Sequence, residues 1–169
     1  MVQRPNIPSF ITTSRLRLRD YDYGQPATYF ITCTTVDRAP IFGHVRDSGF
    51  RASFLGKAIL EEWASLETMV SDVILDSCQL MPDHFHGILT ILPSDAPEPP
   101  TLSAIVGRFK SLSTRRYWKI RDDGLCPNIG TTCWQDRLHD TIIRNDAHYE
   151  RTLMYICLNP RRWTQKYGY

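Results

Sequence analysis

The chain has 169 residues, 42% of them hydrophobic and 22% charged, with a formal net charge of +2, which suits one globular domain with a sizeable core. No apolar run approaches the roughly 20 residues of a membrane helix, and Met1-Val2-Gln3-Arg4-Pro5 lacks the apolar stretch of a secretory leader. The five cysteines (Cys33, Cys78, Cys126, Cys133, Cys157) are odd in number and form no C-x-x-C pair, which signals neither a disulfide framework nor a structural zinc site; a reduced, cytoplasmic protein is expected.

Residues 1–24 hold few apolar positions and are expected as an extended arm, leaving 25–169 as the domain. Ala27 to Thr35 is β-branched and aromatic, and predicts a strand. Phe50 to Leu66 carries Phe54, Leu55, Ala58, Ile59 and Trp63 at helical spacing. Val70 to Met81 predicts a second strand, Pro82-Asp83 a turn, and Phe85 to Ile91 a third strand ending at Pro93. After a proline-rich loop over 94–100, Thr101 opens a long helix through Leu102, Ile105, Val106, Phe109, Leu112 and Tyr117. A second loop, 124–132, leads to a short fourth strand over Arg137–Arg144. Asn145 or Asp146 then caps a last helix that Pro160 is expected to stop. The order β-α-β-β-α-β plus one helix predicts an α+β, ferredoxin-like split βαβ. Its sheet is four-stranded and antiparallel, with helices on one face and an appended C-terminal helix. That fold hosts many functions and selects none.

Charge is unevenly placed: residues 1–100 carry a net −4 and residues 101–169 a net +6. Arg108, Lys110, Arg115, Arg116, Lys119 and Arg121 crowd one short segment. Such a face suits a polyanion such as nucleic acid, and equally suits a solvated helix surface.

Three constellations carry chemistry. In His84-Phe85-His86, strand alternation points both imidazoles one way and Phe85 the other, with Cα atoms about 6.5–7 Å apart. Two rings so placed can converge on a metal ion, or simply lie beside a turn. In Tyr155-Ile156-Cys157-Leu158-Asn159-Pro160, Tyr155 and Asn159 fall one helical turn apart on one face. That is either a working pair or a core tyrosine with an Asn cap. Trp134-Gln135-Asp136-Arg137, with His139 and Arg144 beyond, puts polar and cationic groups on a short strand; Trp134 stacks on a base or plugs the core.

Met81-Pro82-Asp83-His84-Phe85-His86-Gly87, Phe109-Lys110-Ser111, Trp134-Gln135-x-Arg137, Ile143-Arg144-Asn145 and Tyr155-x-x-x-Asn159-Pro160 occur in the order found in REP-associated tyrosine transposases. The chain resembles that family from about Tyr29 to Trp163. The resemblance implies a His-hydrophobic-His endonuclease and strand transferase that cleaves single-stranded or hairpin DNA through a covalent 5′-phosphotyrosine. His84 and His86 match the paired metal ligands, Asn159 the third ligand and Tyr155 the nucleophile. Arg108, Lys110, Arg115, Arg116, Trp134, Gln135, Arg137 and Arg144 become candidate DNA contacts. An N/O ligand set with open positions suits Mg2+ or Mn2+, with Mn2+ the better partner for imidazole. No membrane partner is expected, and a homodimer is compatible. Tyr117, on the basic helix, is the rival nucleophile. Two other readings compete: a domesticated DNA-binding regulator that does not cut, and a hydrolase acting through a metal-bound water.

Overall fold

A computed structural model describes residues 25–47 and 49–167, so the arm expected over 1–24 lies outside the described residues. In chain order the elements are β1 (Ala27–Thr35), β2 (Gly43–Arg46), β3 (Gly49–Ala52), α1 (Phe54–Met69), β4 (Val73–Met81) and β5 (His84–Ile91). These are followed by α2 (Leu102–Asp122), β6 (Trp134–Ile143), α3 (Asp146–Cys157) and α4 (Asn159–Tyr167). Four strands form one sheet in the order β4-β5-β1-β6, with every neighbouring pair antiparallel. This is the split βαβ arrangement that the element order predicts.

Alternation along β1 sorts the two faces. Tyr29, Ile31 and Cys33 are fully buried and join Phe85 and Leu89 in the main core with Ile59 and Trp63 of α1 and Val106 and Phe109 of α2. Phe85 lies 4.8 Å from the Trp63 ring and 5.0 Å from Phe109, centroid to centroid. Burying a Phe side chain of this kind stabilises by about 1.5–3 kcal/mol. Gly87 makes that packing possible: a Cβ there would sit 2.9 Å from both Phe85 Cε1 and Trp63 Cζ2. The opposite face carries a smaller cluster, Ile88 and Ile143 against Ile156 of α3, with Phe30 alongside.

The two helices between the strands, α1 and α2, pack on one face as expected, and the appended α3 packs on the other. Three expectations need correction. First, β2 and β3 pair as a two-stranded antiparallel sheet where part of a helix was expected. Its strands are four residues each and offer only Val45 opposite Phe50 as an apolar pair, too little alternation to announce a strand. The helix starts instead at Phe54, where Ser53 accepts the Gly56 N–H at 3.0 Å as its N-cap. Second, β6 is ten residues long and begins at Trp134. Third, Pro160 ends one helix and opens another. Its missing N–H and fixed φ are tolerated in the first turn of α4, so the C-terminal region is two helices rather than one. Thr101 and Asn145 cap α2 and α3 through their side-chain oxygens.

Candidate active site

Across the α3-facing side of the sheet, register sets Gln79 of β4, His86 of β5, Thr32 of β1 and His139 of β6 in one row. His84 is one step along β5, opposite Thr34. The two imidazoles are 4.6 Å apart, centroid to centroid. Phe85 points into the other layer, as strand alternation requires. Together with Phe30, Tyr155, Asn159 and α4, these rings line a cleft of about 500 Å3.

Each imidazole is held from behind through Nδ1. His84 Nδ1 is 2.5 Å from Asp83 Oδ1, and His86 Nδ1 is 2.8 Å from the Thr32 hydroxyl. His86 is buried, and its Nε2 has no hydrogen-bond partner among the described residues. Burial, reinforced by the neighbouring His84, pushes the His86 pKa down to about 3, which keeps the ring neutral and its lone pair available. Burial alone would raise the Asp83 carboxyl. The hydrogen bond and charge of His84, with the Arg38 guanidinium, instead hold it below the usual carboxylate range.

Asn159 starts α4, buried, with its side-chain amide 3.5 Å from His84 Nε2. Rotating that amide by half a turn would present its oxygen in the same place. Tyr155 is 41% exposed. Its ring packs edge-on against Phe30 at 6.1 Å and His86 at 5.4 Å, and the Arg162 guanidinium lies 5.0 Å over it. Tyr155 and Asn159 therefore reach the cleft from two consecutive helices, not from one face of a single helix.

The donor set fits a divalent ion. Two imidazoles and an amide, one nitrogen of them buried and without a partner among the described residues, form an N/O group of the kind Mg2+ or Mn2+ accepts when water completes the shell. Asp83 and Thr32 supply the second layer that metal-bound histidines ordinarily carry.

The expected DNA-contacting residues do not share this cleft. Lys110, Arg115, Trp134 and Gln135 line a second cleft, about 590 Å3, between α2 and the start of β6. There Lys110 Nζ donates to the Gln135 carbonyl at 2.6 Å. Trp134 is 2% exposed and packs on Phe42 and Phe109, which leaves its ring no free face for a base. Arg116 pairs with Glu61 and Glu62 on α1. Arg108, Arg137 and Arg144 are exposed and lie outside both clefts. The rival Tyr117 is fully buried, and its hydroxyl accepts the Ile129 N–H at 2.8 Å.

Sequence reasoning passed over Arg38, Arg162, Trp163 and Lys166, all of which line the first cleft. The signal for three of them was the spacing 159, 162, 163, 166, one face of a helix. It was hidden by treating Pro160 as a terminator.

No family model matches the chain. It is 27% identical to an uncharacterized protein of Haemophilus influenzae, over 89% of each chain. Among solved structures it is similar to a REP-associated tyrosine transposase bound to a REP hairpin. The TM-score is 0.59 at 21% identity, over 89% of this chain and 74% of that one. It is also similar to a candidate transposase from Deinococcus radiodurans, with a TM-score of 0.53 at 17% identity, over 83% of this chain and 95% of that one. The four-stranded antiparallel sheet and its flanking helices are thus the fold of a tyrosine transposase.

Proposed function

We propose that the protein is a metal-dependent, single-tyrosine endonuclease and strand transferase acting on single-stranded or hairpin DNA. The observation that carries this reading is the cleft itself: His84, His86 and Asn159 converge beside an exposed tyrosine, and the buried His86 Nε2 has no partner. Leaving such an atom unsatisfied costs about 1–3 kcal/mol, which a bound cation would offset.

In the reaction, the Tyr155 hydroxyl oxygen attacks the phosphorus of a phosphodiester. The Oη–P bond forms as the P–O3′ bond breaks; the phenol gives up a proton and the leaving 3′ oxygen takes one up. The 5′ phosphate is then linked to Tyr155, and because a phenolate is a good leaving group the same step runs backwards with a new 3′ hydroxyl, as strand transfer requires. His84, His86 and Asn159 would hold a divalent ion, which would supply charge neutralisation to the phosphodiester. Arg162, its guanidinium 5.0 Å over the Tyr155 ring, holds that ring in place through a cation–π contact. Arg38 and Lys166 add positive charge to the cleft walls for the DNA backbone.

The test is incubation with single-stranded hairpin DNA and Mn2+, followed by a search for a denaturant-resistant protein–DNA adduct. Tyr155→Phe is expected to bind DNA and form no adduct, whereas Tyr117→Phe keeps adduct formation. An adduct mapped to the Tyr117 peptide, or none at all with intact protein, would overturn the reading.

A further inference from the structure

We infer that Asp83 is a positioning residue that fixes His84 as the Nδ1–H tautomer and so turns its Nε2 lone pair toward the cleft. This rests on the metal reading above.

Asp83 follows Pro82 in the tight turn between β4 and β5, and its side chain is 3% exposed. It is held on three sides. The Thr35 N–H donates to its carbonyl at 2.9 Å. Arg38 Nη1 donates to Oδ2 at 3.3 Å, and His84 Nδ1 is 2.5 Å from Oδ1. An ionised carboxylate only accepts hydrogen bonds, so the proton between Asp83 and His84 belongs to the imidazole Nδ1. A neutral ring with its proton there carries a bare Nε2, the atom that faces Asn159 across 3.5 Å.

Backbone conformation supports the assignment. Asp37 and Arg38 both adopt positive φ, 50° and 54°, a left-handed geometry that is costly for a non-glycine residue. Two such residues in succession turn the chain sharply after β1 and bring Arg38 back to the Asp83 carboxylate. The strained turn, the arginine, the carboxylate and the imidazole form one chain of contacts ending at the cleft. Thr32 takes the matching place behind His86, where the Ile31 backbone also hydrogen-bonds the ring.

Two measurements on the full chain test this. Histidine-labelled, metal-free protein near neutral pH is read by long-range proton–nitrogen correlation spectra. His84 is expected as the Nδ1–H tautomer, and the Nε2–H tautomer would overturn the inference without any variant. Calorimetric titration with Mn2+ then compares wild type, Asp83→Asn and Asp83→Ala. Asp83→Ala is expected to weaken binding by about 10–100-fold, the usual effect of losing such a partner. Asp83→Asn, whose amide oxygen still accepts from Nδ1–H, recovers most of the affinity. Unchanged Mn2+ affinity in Asp83→Ala, or no rescue by Asn in a protein that melts as wild type, overturns the positioning role. Absence of Mn2+ binding by wild type removes the metal reading itself, an outcome distinct from a wrong tautomer.

Discussion

Replacing His86 by Leu is expected to stabilise the metal-free protein while abolishing its response to metal. The site around His86 is apolar on several sides, with Phe30 at 5.2 Å and Tyr155 at 5.4 Å between ring centroids. Leucine is close in volume and introduces little strain. The substitution removes a buried Nε2 without a partner, relieving about 1–3 kcal/mol. It also loses the Nδ1 bond to Thr32, about 0.5–1.5 kcal/mol, and the half-buried Thr32 hydroxyl can turn to water. Central values leave the variant about 1 kcal/mol more stable, or about 2–4 °C in Tm for a domain of this size. At a Mn2+ concentration about 100-fold above its Kd, wild type gains about 2.7 kcal/mol, and the variant, lacking one ligand, gains far less. Thermal unfolding followed by circular dichroism across a Mn2+ series should therefore give Tm curves that cross. Lowering pH adds a second signature. Folded His86 refuses a proton until about pH 3, while the unfolded ring accepts one near pH 6.5. The His86 contribution is thus complete above that value and is lost as pH falls toward 3, a slope the Leu variant lacks. A variant that melts several degrees below wild type without metal, or that gains the same increment with it, refutes the reasoning.

Gly87→Ala forces a methyl group to within 2.9 Å of the Phe85 and Trp63 rings, and should cost about 1–3 kcal/mol in urea unfolding. In a Trp63→Leu background the added cost should shrink, and equal costs in both backgrounds would dismiss the ring clash as the cause. Arg162→Ala removes the guanidinium 5.0 Å from the Tyr155 ring. Adduct formation at saturating DNA should slow by at least about 2–5-fold, the equivalent of an exposed cation–π contact; an unchanged rate assigns Arg162 to surface packing.

What the sequence made legible was whatever period and punctuation encode. β1 was readable to the residue because nine consecutive positions suit a strand, and α2 because Thr101 caps a run with apolar residues at helical spacing. The side-by-side histidines followed from alternation alone. The cleft's outer wall was not readable, because it is built by α4, and a proline reads equally as the end of one helix and the first turn of the next. The division of the basic residues was hidden for a different reason. Arg116 and Lys110 look alike in sequence, and only packing decides that one faces Glu61 while the other reaches the Gln135 carbonyl. Asp83 read as a turn residue, and its second task came from Arg38, 45 positions away.

The two basic clefts lie on opposite faces of the sheet, one roofed by α3 and α4 and the other walled by α2, with the β6 edge between them. A polynucleotide in contact with both must turn around that edge, over a distance set by layers about 10 Å thick. Duplex DNA, with a persistence length of about 150 base pairs, stays straight on that scale and can touch one side only. A single strand bends freely, and a hairpin with an unpaired tail divides the task, its stem on one face and its tail crossing to the other. On the proposed function, the sheet edge would thus select for a junction between paired and unpaired nucleotides through shape alone, before any base is read.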